Sequence, residues 1–156
     1  MTNEIRHILC AVLGKPTSRT TVTKAIDLAS ENNARLTFIH VIDAEFLASA
    51  TPVMTSLSTV YNQLRELGEF SMLILCDRAN RRGVENVDYI IREGQILPQL
   101  RRAISELQPD IFVMGRPFGG GSAPKSIPPE EIENFIKDVE KNLGITVVSV
   151  EIQLDS

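Results

Sequence analysis

Cysteine and histidine are scarce in this 156-residue chain, which has two of each. Those scarcities remove several chemistries at once. Cys10 and Cys76 lie far apart and inside apolar runs, the setting of buried free thiols in a reducing compartment rather than of a bridge or a metal site. Neither His7 nor His40 has a second ligand at helical or hairpin spacing, and His40 within "FIHVID" reads as a packed strand residue. Basic charge is not in excess either. A formal net charge of −4 leaves no basic face for a general nucleic-acid or anionic-membrane binder. No apolar run reaches membrane length, and the polar start "MTNEIRH" is no signal peptide. The expectation is a cytoplasmic protein with no membrane and no nucleic-acid partner.

What is present is ordinary globular material, 43% hydrophobic and 23% charged. The length suits one domain over residues 1–156, burying roughly 68–70% of the unfolded surface. "IRHILCAVL" is a short apolar run of the kind a strand buried on both faces produces. "GKPTS" breaks it, and Val22, Ala25, Ile26 and Ala29 then repeat at helical spacing to about Asn33. "ARLTFIHVID" is a second strand. From about Thr55 to Arg82 a long helix is expected. Its stripe is Leu57, Val60, Tyr61, Leu64 and Leu67, continuing through Ser71, Ile74 and Leu75, with Gly68 a weak point inside it. "VENVDYIIRE" is strand three, and a helix on Ile96, Leu100, Ala103, Ile104 and Leu107 follows Gly94. "DIFVMG" is strand four. Pro128 and Pro129 open a helix with its stripe on Ile132, Phe135, Ile136, Val139 and Leu143, and "ITVVSVEIQL" is strand five. Strict alternation of this kind implies an α/β fold, a single-domain open five-stranded parallel sheet with helices on both faces; the expected strand order is 3-2-1-4-5.

In such a sheet, ligands settle beyond the carboxyl ends of the strands, where strand order reverses. The residues standing there exclude more than they admit. A phospho-acceptor receiver needs aspartates where Leu13 and Arg92 stand. A Walker loop fails because Lys15 has one glycine before it and a proline after it, and no G-x-G-x-x-G follows strand one. Asp43 and Glu45 read as a solvated loop before they read as a cation site. Ser122 and Ser126 have no histidine near them in sequence and no nucleophile elbow. The paired arginines Arg81–Arg82 and Arg101–Arg102 are explained by exposed helix faces. No residue set compels an enzyme.

The segment "IIREGQILPQLRRAISELQPDIFVMG" resembles the universal stress protein family, through its Glu-Gly, its helix leucines and its Asp-x-x-Val-Met-Gly. "HILCAVLGKPTS" and "LTFIHVID" are similar to the family's first strand and turn and to its second strand. Among ATP-binding members, the resemblance implies an aspartate ending strand one that reaches the ribose, and backbone at the position of Val41 that reads adenine. It also implies a G-x-x-G, nine-residue, G-[ST] loop that wraps the phosphates. The candidate crevice is therefore Leu13, Val41, Gly115, Arg116, Gly119, Gly120, Gly121 and Ser122.

This chain departs from that pattern at both decisive places. Leu13 replaces the aspartate, Phe118 stands at the second loop glycine, and no G-S or G-T pair follows at the required distance. Losing a charge-assisted hydrogen bond at Leu13 removes roughly 1.5–3 kcal/mol. A phenylalanine where the backbone needs positive φ costs about 1–2 kcal/mol. Together these weaken binding by about two to three and a half decades. The three glycines leave two readings open: an anion-binding nest completed by Ser122 and Lys125, or a linker whose ordering would cost entropy.

Two functions follow. The first is a regulatory stress-response module that needs no cofactor, with an unidentified protein partner. It would act as a homodimer through strand five, where Val147, Val148, Val150 and Ile152 form an apolar terminal strand that another chain should cover. The alternative is an ATP/AMP-binding stress protein, a slow ATPase at most, holding ATP with magnesium on the Gly119–Ser122 turn.

Overall fold

The computed structural model describes residues 4–12, 18–43, 57–116 and 127–151. Nine elements alternate: β1 (His7–Val12), α1 (Ser18–Asn32), β2 (Arg35–Ile42), α2 (Leu57–Arg81), β3 (Val87–Glu93), α3 (Ile96–Leu107), β4 (Ile111–Arg116), α4 (Pro129–Asn142) and β5 (Thr146–Glu151). The strands form one sheet in the order β3-β2-β1-β4-β5, with every pairing parallel. The fold class and strand order agree with the sequence reading.

The continuous apolar runs of the central strands follow from burial on two faces. Ile8, Cys10, Val12, Leu36 and Phe38 point to one side, where they meet Val22, Ala25, Ile26 and Ala29 of α1 and Met72 and Ala79 of α2. Leu9, Ala11, Ile39 and Val41 point to the other, against Leu100, Ala103 and Ile104 of α3 and Ile132, Phe135 and Val139 of α4. There the rings of Phe112 and Phe135 meet edge to face at 6.1 Å, the arrangement their quadrupoles favour. Asp110 ties the two central strands at their starts, its Oδ2 accepting from the backbone N–H of Arg6 at 2.8 Å and of His7 at 2.9 Å.

One expectation fails on α2. The periodicity puts Leu64, Leu67, Ser71 and Ile74 on the packed stripe, yet they are exposed, Leu67 at 62% and Ile74 at 53%, with Phe70 and Leu73 beside them. The packed face is built instead from Gly68, Met72 and Ala79, with Leu75 and Cys76 at its margin. Gly68 explains the choice. A Cβ on it would stand 3.0 Å from His40 Cδ2, so glycine is what lets the helix settle onto β2. Strand three is also less buried than expected: β3 is an edge, half-buried along its length.

Gly83 (φ +98°) and Gly144 (φ +69°) follow α2 and α4 in left-handed conformations that side chains avoid.

Candidate functional site

Strand order reverses between β1 and β4, so the crevice expected of this fold opens at their carboxyl ends. The ladder geometry shows it opening. Pairing between β1 and β4 ends at Cys10↔Val113. Beyond that point Ala11 and Val12 stay with β2, whereas Met114, Gly115 and Arg116 stay with β5. The two strands part, and Gly115 lines the split.

Val41 lies on the same rim. The β1–β2 ladder finishes at Val12↔His40, so Val41 stands past the last β1 partner, its side chain buried on the α3–α4 face. The structure thus brings Val41, Gly115 and the backbone of Arg116 to one end of the sheet. Leu13, Phe118, Gly119, Gly120, Gly121, Ser122 and Lys125 lie outside the described residues, as do Glu45 and Ile152.

The rim is tied together by His40. Its Nδ1 lies 3.1 Å from the carbonyl of Val12, which can only accept, so Nδ1–H donates there, and the Cδ2–Nε2 edge of the ring faces Gly68. The sequence reading of His40 as a packed strand residue agrees with this half-buried position.

The start of α4 is occupied by prolines and carboxylates. Pro128 occupies the N-cap position and Pro129 the first helical position, and no side-chain hydrogen bond caps the helix. A helix N-terminus attracts anions through free N–H groups and its dipole. Here the first helical residue has no N–H, and Glu130 and Glu131 place two carboxylates in the opening turn. The backbone N–H groups of Glu131 and Ile132 are already turned to the Pro128 carbonyl, at 3.0 and 3.3 Å.

Two polar groupings were not foreseen. Beside β3, Tyr61 hydrogen-bonds to Glu93, which pushes its phenol pKa up. Arg65 donates to the Tyr61 oxygen at 3.4 Å and pairs with Glu69 at 3.5 Å. At the opposite end of the sheet, Thr37 gives its hydroxyl proton to Asp88 at 2.6 Å, so the His7 ring must donate from Nε2 to Thr37, 2.8 Å away. Arg35 closes this chain on the other Asp88 oxygen. Burial first, and Arg35 second, hold the His7 pKa below the usual imidazole value of 6.5. Only register could have revealed the grouping: Thr37 pairs with Asp88, and His7 with Arg35.

The thiols are free. Burial pushes the Cys10 thiol pKa far up, and burial with the charge of Asp88 raises that of Cys76, so neither is disposed to act as a nucleophile. Among the described residues, no group of three histidine, cysteine or acidic side chains is placed to hold a metal, and no helix is long and apolar enough to cross a membrane.

Known proteins share this fold. A model of the universal stress protein family matches residues 4–120. The hypothetical protein MJ0577 is 21% identical with a TM-score of 0.76, over 99% of this chain and 100% of that one. Universal stress protein UspA from Lactobacillus plantarum is 15% identical with a TM-score of 0.72, over 96% and 99% of the two chains. A universal stress protein in complex with cAMP is 17% identical with a TM-score of 0.61, over 97% and 100%. No curated protein matches the sequence.

Proposed function

The chain belongs to the universal stress protein family, and from that premise we propose that it is a cytoplasmic, homodimeric regulatory module of the stress response whose crevice no longer holds nucleoside triphosphates. The start of α4 carries this reading. Two prolines and two carboxylates stand where a phosphate-wrapping loop would deliver its anion to a helix N-terminus. The substitutions Leu13 and Phe118 act in the same direction.

The sheet edges support the dimer. β3 carries Asp88, Arg92 and Glu93, charges of the kind that guard a free edge. β5 has three valines in four residues, Val147, Val148 and Val150, all half-buried, and among the described residues it pairs only with β4. A second β5 related by a two-fold axis would satisfy that edge.

A nucleotide-binding reading has one support of its own, the convergence of Val41 and Gly115 at the split between β1 and β4. In that reading the Gly119–Ser122 turn would hold ATP or AMP. Analysis of the supernatant after acid denaturation of freshly purified protein decides between the two. Absence of adenine nucleotide is expected, and a stoichiometric amount would overturn the proposal.

A further inference from the structure

Outside the crevice, a shallow, open groove of about 400 Å³ runs between α1 and α2, lined by Arg19, Thr20, Thr23, Lys24, Asp27 and Arg78. Its charge is out of keeping with an acidic protein. Arg6, Arg35, Arg65, Arg81, Arg92, Arg101 and Arg102 each have a carboxylate within ion-pairing distance. Among the described residues, Arg19 and Arg78 have none, and both line this groove. Arg82, at its border, has the longest pair of all, 3.9 Å to Asp27. Four cations therefore face one half-exposed carboxylate.

Arg78 is held ready rather than loose. Its Nη2 donates to Thr23 Oγ1 at 2.8 Å, which fixes the guanidinium across the gap between the two helices. Burial first, and then the like charges of Arg82 and Arg19, depress its pKa, with Asp27 opposing. Asp27, the one carboxylate lining the groove, is shared with Arg82. Planar guanidinium forks, an ammonium group and two threonine hydroxyls are the donor set that a tetrahedral oxyanion uses.

The geometry points to a phosphoryl-binding site between α1 and α2, in which Arg78, Arg19 and Lys24 bind a phosphate monoester and Thr20 and Thr23 donate to its oxygens. It is separate from the crevice, sharing none of the residues at the β1–β4 split.

The test is amide NMR of the full chain at constant ionic strength, titrated with inorganic phosphate and then with a phosphoserine peptide. Saturable shifts are expected at Thr20, Thr23, Lys24 and Arg78. Arg78→Gln should weaken both titrations about tenfold, while Lys141→Gln leaves them unchanged. If Arg78→Gln fails to fold, Arg19→Gln, at an exposed position, should show the same loss. A peptide that binds more tightly than inorganic phosphate assigns the site to phosphorylated proteins, and equal binding assigns it to small phosphates; either result supports the site. Non-saturating shifts, shifts confined to Val41 and Gly115, or shifts untouched by both arginine variants would overturn it.

Discussion

Gly68 of α2 lies against the imidazole of His40, so that a methyl group added to the glycine would stand 3.0 Å from Cδ2 and 3.4 Å from Nε2. The ring cannot withdraw freely, because its Nδ1–H is bound to the Val12 carbonyl. Helix packing on β2 and the end of β1 are thereby linked through one side chain.

Gly68→Ala should for this reason destabilise the protein, although alanine in a helix interior is ordinarily better than glycine by about 1 kcal/mol. Overpacking costs of about 1–3 kcal/mol outweigh that gain. In a His40→Ala background the obstruction is gone and the same substitution should stabilise. A double-mutant cycle by urea unfolding should give a coupling of about 1 kcal/mol or more; additivity within error would show that the two residues do not press on each other.

The His7–Thr37–Asp88 chain should make stability fall with acid. Because the folded pKa of His7 lies below 6.5, the fold prefers the neutral ring and the unfolded chain binds more protons in between. The contribution is complete above 6.5 and is lost as pH drops through the folded value. His7→Gln should flatten the slope of unfolding free energy in that window. Asp138, depressed by Arg101 and then Asn142, loses its contribution only below its ordinary 3.8, so the two effects separate on the pH axis. An unaltered slope in the variant would remove His7 from the account.

Replacing Val148 and Val150 by lysine should abolish the proposed β5 pairing, and sedimentation velocity reads the result as a monomer or an aggregate. Both valines also lean on the α1 side of the core, so circular dichroism must confirm that the variant is folded. A folded variant that remains dimeric would place the dimer interface elsewhere.

Much of this structure was legible in the chain. "HILCAV" and "RLTFIHVI" declare buried parallel strands because both faces of each are apolar. Strand order then followed from alternation and from the stress-protein resemblance of Ile90–Gly115. The face of α2 was not legible. Its larger residues, Leu67, Phe70 and Ile74, outweigh the small ones in any hydrophobic pattern, while the contact that decides the packing is the absence of a side chain at Gly68. The His7 grouping escaped for another reason: its bonds span 30 and 51 residues, and strand register alone brings them together. At the crevice, the sequence marked Gly115 as the end of strand four, and Val41 entered only through the family resemblance. It also marked the two prolines that open α4, but not that Glu130 and Glu131 would share its first turn.

The claim on which the function rests is that triphosphates no longer bind beside Gly115. Isothermal titration calorimetry with ATP and magnesium tests it directly. The account predicts no measurable heat up to about millimolar nucleotide, and a dissociation constant near micromolar, about −8 kcal/mol of binding free energy, would contradict it.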